Sequence, residues 1–158
     1  MTVDLVYAVV IGVLAAAFFA LRTMSRAAGV HREPLPGEPH PGDEHIALFR
    51  IDGALFFGAA DRVLERVTGT VGVSVVILRL SQVQLMDATG AQVLAQLVTT
   101  LEGRDVTVLV KGIQPQHLEL ATRVGVVDAL RDRAHLFDTL EPAVEHARSH
   151  VLRLVPAL

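Results

Sequence analysis

VSVVILRLSQVQLMDATGAQVLAQLVTTL, residues 73–101, holds the reading on which the fold turns. From Val73 to Leu80 the run is β-branched and aliphatic with almost no polar alternation, which predicts a strand buried on both faces of a mostly parallel sheet. A short polar step follows. From Asp87-Ala88-Thr89-Gly90 onward, Ala91, Leu94, Ala95, Val98 and Leu101 recur at helical spacing. A strand that feeds directly into a helix puts Asp87 to Gly90 at the carboxyl edge of the sheet, where open α/β sheets bind their ligands.

The same alternation extends to either side. Upstream, His45 to Ile51 and Ala54 to Phe57 are short apolar runs separated by Asp52-Gly53, a pair suited to a two-residue hairpin turn. Gly58-Ala59-Ala60-Asp61 opens a helix through Val67, with Val63, Leu64 and Val67 on one face. Downstream, Gly103-Arg104-Asp105 breaks the central helix and Val106 to Val110 is a second uninterrupted strand, ending at Lys111-Gly112. Pro115 suits the first turn of a further helix that turns Leu118, Ala121 and Val124 inward and stops at Gly125. Asp138-Thr139-Leu140-Glu141 has the form of a capping box with Asp138 at the cap, launching a last helix striped by Leu140, Val144, Ala147 and Val151. The predicted class is α/β, a sandwich with a mixed, mostly parallel sheet of four to five strands and about four helices.

The N-terminus is different in kind. Leu5 to Leu21, LVYAVVIGVLAAAFFAL, carries no charge, and at helical rise it spans roughly 26 Å, the short end of what a bilayer core requires. It explains the mean hydropathy of +0.46. A signal peptide wants positive charge before the apolar run, whereas here Asp4 precedes it and Arg22, Arg26 and Arg32 follow. The expectation is one transmembrane helix in the cell membrane, N-terminus outside and the rest cytoplasmic, in contact with the lipid bilayer through residues 5–21; a buried core helix is the alternative. From His31 to Asp43, HREPLPGEPHPGD predicts an irregular linker. The chain therefore divides into a membrane helix with a basic flank over 1–28, a Pro/Gly-rich linker over 29–44, a folded domain over 45–152 and a tail over 153–158.

Composition excludes several classes. The 158 residues suffice for one ordinary domain, and the absence of cysteine removes disulfides and thiolate metal sites. A net charge of −3 and 4% aromatic residues argue against nucleic acid as a partner. No P-loop, dinucleotide glycine fingerprint, nucleophile elbow or zincin helix occurs, so no enzyme activity and no cofactor are expected.

Among polar residues, Asp87 is the most informative. As an N-cap it would accept from the amide of Thr89 or Gly90, and Gly90 and Ala91 would keep the first turn narrow enough for a partner's backbone or a small anion. Lys111, the only lysine, ends the second buried strand and shares a carboxyl edge with Asp87 if the two strands run parallel. Asp87, Ala88, Thr89, Gly90, Lys111 and Gly112 are thus the candidate partner- or ligand-binding residues. His146 and His150, four apart on the last helix, can chelate a metal given a third ligand. None is evident in the sequence, and no metal site is expected there or among the linker residues His31, His40 and His45.

The stretches VVILRLSQVQLMDATGAQVLAQLVTTL, VTVLVKGIQPQHLELATRVGVVD and LFRIDGALFFGAAD together resemble a STAS domain, the fold shared by bacterial anti-sigma factor antagonists and the cytoplasmic tails of SulP-family sulfate and anion transporters. The SulP type fits better, and VDLVYAVVIGVLAAAFFALRTMSR looks like the last membrane helix of such a transporter. The resemblance implies a non-catalytic regulatory or protein-interaction module, membrane-tethered and not transport-competent alone, whose partner is the remaining membrane domain of a transporter or another membrane protein. Whether the chain is a piece of a longer or split transporter or a free-standing tethered module stays open. The alternative is an antagonist-like signalling protein that binds a kinase-type anti-sigma factor. In antagonists the phospho-accepting hydroxyl directly follows the Asp; that position is Ala88 here, and Thr89 is the nearest candidate for phosphorylation. Nucleotide binding at the Asp87/Lys111 edge is a third possibility the resemblance raises.

Overall fold

A computed structural model of the chain describes residues 2–27, 29–55 and 59–154. The expected strand end at Phe57, the helix-opening Gly58 and residues 155–158 of the expected tail lie outside them. Helices cover both faces of a single sheet. The helix α1 (Thr2–Ala27) leads to β1 (Gly29–Glu33), and after a loop come β2 (Ile46–Leu55), α2 (Ala59–Thr68), β3 (Val75–Met86) and α3 (Ala88–Glu102). Then follow β4 (Thr107–Lys111), α4 (Pro115–Val124), the short α5 (Val126–Ala129), β5 (Leu136–Phe137) and α6 (Leu140–Leu154). The sheet order is β1-β2-β3-β4-β5, with β1 antiparallel to β2 and every later pair parallel. The expected α/β class with a mixed, mostly parallel sheet is what forms, with five strands and, among the described residues, five α-helices after α1 where about four were expected.

The uninterrupted apolar runs have a simple cause: each strand feeds two cores. On β3, Val76, Leu78 and Leu80 pack with Ala91, Leu94, Leu97 and Val98 of α3 and with residues of α2, α4 and α5 on one face. Val75 and Ile77, with Ile46, Leu48 and Leu109, pack on the other against Ala143, Val144, Ala147 and Val151 of α6. Alternate side chains must go to opposite faces of a strand, so a central strand covered on both sides has no polar position to show.

Three local expectations are corrected. Asp52-Gly53 does not turn a hairpin: β2 runs straight through it, parallel to β3, and the pair sits at an irregularity where the register shifts between Arg50 and Asp52 and again between Gly53 and Ala54. The positive φ of Gly53, 82°, that would suit a turn is used by a bulge instead. The antiparallel partner of β2 is β1, which lies inside the stretch expected to be irregular linker; Glu33 accepts from Arg50 at 2.7 Å and from Arg79 at 3.1 Å, and Arg66 donates to the carbonyl of Val30 at 3.0 Å. The rest of that stretch is a loop clamped to α6, because Arg148 donates both Nε and Nη2 to the Asp43 carboxylate, each at 2.9 Å. Its guanidinium, through those hydrogen bonds, holds the Asp43 carboxyl below its ordinary range. Finally, Leu118 faces outward at 41% exposure while His117 takes the buried position on α4.

Every described side chain of α1, residues 5–20, is exposed, from Leu5 at 71% to Val10 at 48% among the large apolar ones. Among the described residues no helix is long and apolar enough to cross a membrane.

Candidate functional site

The chain turns from strand to helix between Met86 and Ala88. Asp87 has extended backbone (φ −98°, ψ 177°) and its Oδ1 accepts from the amide of Gly90 at 2.7 Å, so of the two amides open to it the cap selects Gly90. Its carbonyl accepts from Ala91 at 2.9 Å, starting the helix. Gly90 is required by packing. A Cβ there would lie 1.9 Å from the carbonyl oxygen of Leu55, the last residue of β2. That contact presses the end of one strand against the first turn of the helix that follows its neighbour. The glycine therefore serves the close approach of two backbones inside the fold, and Gly90 is buried while Asp87, Ala88 and Thr89 stand exposed beside Leu85 at 57%.

Lys111 belongs elsewhere. The strands β3 and β4 do run parallel, but the register pairs Lys111 with Arg79, and its Nζ donates to Ser81 Oγ at 2.7 Å. Asp87 lies six positions beyond Ser81 along the chain, roughly 20 Å at the usual strand rise. The two candidates share a sheet direction without sharing a surface, because β3 continues well past the end of β4. Gly112, at φ 73°, closes over Ser81, where a Cβ would meet Oγ at 2.3 Å, and donates its amide to the carbonyl of Phe137 at 2.8 Å. Gln114 adds a bond from Nε2 to the Ser81 carbonyl at 3.2 Å. These residues form a packed joint between β4 and β5. Among the described residues, Asp87 and Lys111 are thus set apart along β3 rather than on one shared edge.

What the strand-to-helix turn offers is a contact surface: a carboxylate held in place by the helix it caps, a methyl group, a hydroxyl and an exposed leucine on a backbone pinned by Gly90. Next to it, sharing Leu55, a cavity of about 460 Å³ opens between the β1–β2 edge and α2, lined by Ile51, Asp52, Arg62, Val63 and Arg66. Nothing in the local sequence marks this cavity, since it depends on β1 being a strand.

Sequence reasoning also misses a cluster on the opposite side. His135, in the turn before β5, is 4% exposed and meets His146 and His150 of α6, with ring centroids 5.2 and 5.6 Å away. Asp132 fixes that turn by accepting from the amide of Ala134 at 2.9 Å. Burial first, then the neighbouring His146, pushes the imidazoles of His135 and His150 below their ordinary pKa. A residue eleven positions before His146 and outside any periodic pattern gives no sequence signal of this meeting.

The family profile of the STAS domain matches residues 40–143. A curated relative, the putative sulfate transporter YvdB of Bacillus subtilis (strain 168), is 29% identical over 144 residues, which cover 85% of this chain and 26% of that protein. The chain thus spans about a quarter of that relative's length. Among solved structures, the STAS domain of a SulP transporter from Vibrio cholerae is 27% identical with a TM-score of 0.60, covering 69% of this chain and 85% of that one. An anti-sigma factor antagonist from Mycobacterium paratuberculosis shares the fold at 18% identity, TM-score 0.57, over 76% of this chain and 95% of its own.

Proposed function

The chain belongs to the STAS domain family, and from that premise we propose that it is the non-catalytic regulatory or interaction module of a SulP-type sulfate or anion transporter, tethered to the membrane by α1 and not transport-competent alone. The observation that carries the reading is α1 itself. No described helix has by itself the length and apolarity of a full span, but the described side chains of α1 point outward with no core among the described residues to bury them, and contact with a bilayer is the environment that fits. Arg22 and Arg26 just after the apolar run support an orientation with the folded domain on the cytoplasmic side and the N-terminus outside. Similarity to a protein named as a putative sulfate transporter supports the transporter assignment over a signalling one. The partner is the membrane domain of a transporter, and the exposed turn Asp87-Ala88-Thr89, with Leu85, is the proposed contact.

Separation of membranes from cytosol after expression, followed by an alkaline carbonate wash, tests the tether. The full chain should stay with the membranes and a chain starting at Gly29 should not; a full chain recovered entirely in the cytosol overturns the anchored reading. Crosslinking to a co-expressed transporter membrane domain deprived of its own tail tests the partner, with Asp87→Lys expected to reduce capture and unchanged capture refuting the proposed contact.

The exposed hydroxyl of Thr89 on the first turn of α3 favours one second reading, an antagonist-type protein switched by phosphorylation. Ala88 stands against it. Incubation with candidate anti-sigma kinases decides: phosphate on Thr89 establishes the switch, and its absence removes it.

A further inference from the structure

We propose that His135, His146 and His150 form a binding site for a divalent late transition-metal cation of the zinc class. The three side chains each present one ring nitrogen, and these atoms all lie within 4.8 Å of one another. Two come from a single helix at a separation of four, which puts both rings on one face with centroids 4.9 Å apart, and the third comes from a turn fixed by Asp132 and by the pairing of β5 with β4. A tetrahedral zinc ion with nitrogen ligands about 2.0 Å away needs donor atoms about 3.3 Å from one another, so modest side-chain rotation closes the set.

A second observation points to a ligand independently of the clustering. Nδ1 of His135 and Nε2 of His146 are buried and have no hydrogen-bond partner among the described residues. Edge-on and tilted ring contacts do not satisfy these atoms, and a cation among the three rings would. The wall is suited to the purpose, with Phe137 packed 5.6 Å from the His146 ring. The nearby carboxylate of Glu102 accepts from the amide of Val108 through Oε1 at 2.9 Å, while its buried Oε2 lies 3.0 Å from Arg131 Nε without a hydrogen bond, and the three histidine nitrogens leave a fourth position to water or another group. With no cysteine in the chain, soft thiolate metals are disfavoured and imidazole metals favoured. The bound ion would clip α6 to the β5 edge of the sheet. This inference stands apart from the membrane and transporter proposal and from its tests.

The test is a titration of the full chain, solubilised in a non-ionic detergent and stripped with chelator, against Zn²⁺ alone, read by competition with a chromophoric chelator and by thermal unfolding. One equivalent per chain and a rise in melting temperature reversed by EDTA are expected. His146→Gln and His150→Gln should each weaken Zn²⁺ binding at least tenfold. The half-exposed His150 provides the variant that keeps the fold, its melting temperature in EDTA matching the parent. A variant lacking the loop histidines, His31→Gln with His40→Gln and His45→Gln, should bind as the parent does. No uptake at micromolar Zn²⁺, or uptake unaffected in the His146→Gln/His150→Gln double variant, overturns the site.

Discussion

Gly90 shows how much of a site can hang on a missing methyl group. Because the absent Cβ position lies 1.9 Å from a backbone oxygen, substitution cannot be absorbed by rotating a side chain; either α3 or the end of β2 must move. Gly90→Ala should therefore cost about 3 kcal/mol, an overpacking penalty at the upper end of the usual range, whereas Asp87→Ala, which removes only the cap to the Gly90 amide, should cost about 1 kcal/mol. Urea unfolding monitored by far-UV circular dichroism measures both, and equal losses would show that the Leu55 contact relaxes freely. At this scale the capping aspartate and its helix were legible in the sequence, since an Asp followed by a helical apolar stripe has few other roles. The reason for Gly90 was not, because its neighbour is thirty-five residues away in the chain.

Among the elements, β1 departs furthest from expectation. Prolines at 34, 36, 39 and 41 mark the loop after it so strongly that the preceding Gly29–Glu33 reads as part of the same linker, and a strand of five residues with one buried side chain, Val30, leaves little periodic signal. Its place is set by pairing with β2 and by the Glu33 carboxylate between Arg50 and Arg79, contacts that no local pattern reveals. The central strands were legible for the opposite reason, since burial on both faces writes itself as an unbroken apolar run. Lys111 shows the limit of that legibility: strand direction was readable, but the extent to which β3 overshoots β4 was not. A chain starting at residue 40, where the family match begins, should consequently be less stable than one starting at Gly29, because it exposes the edge of β2 and strips Arg50 and Arg79 of Glu33. Size-exclusion chromatography and urea melts of the two chains check this; identical midpoints would make β1 an ornament.

For the whole molecule, histidines sit on both sides of the sheet, buried His117 on α4 and, on the other side, buried His135 before β5 with partly buried His150 of α6, and burial lowers the pKa of all three. His135 and His150 also face His146, Arg131 and Arg153, with the Glu102 and Asp132 carboxylates opposing in part. A base whose folded pKa lies below its unfolded value of 6.5 binds fewer protons in the native state, so stability is full above that pH and falls as acid is added. The urea midpoint in EDTA should decline from pH 7 toward pH 5, and replacing His135 and His150 by Gln should flatten the decline. A second loss, lower still, belongs to Asp43, whose contribution disappears as the pH drops through its depressed value; Arg148→Ala should abolish that step. On the proposed anchored reading, Leu14→Lys should release the full chain from carbonate-washed vesicles, because a charge near the centre of a span costs about 3 kcal/mol. Only one residue, 28, separates the last residue of α1 from the first of β1. Residues 34–45, instead of forming a tether, close a loop within the domain. With so short a junction, a rise of one helical residue, about 1.5 Å and about 100° of rotation, has almost no chain in which to dissipate. The sheet would meet such a displacement at its antiparallel edge, where β1 is held by its pairing with β2 and by the ion pairs of Glu33 with Arg50 and Arg79.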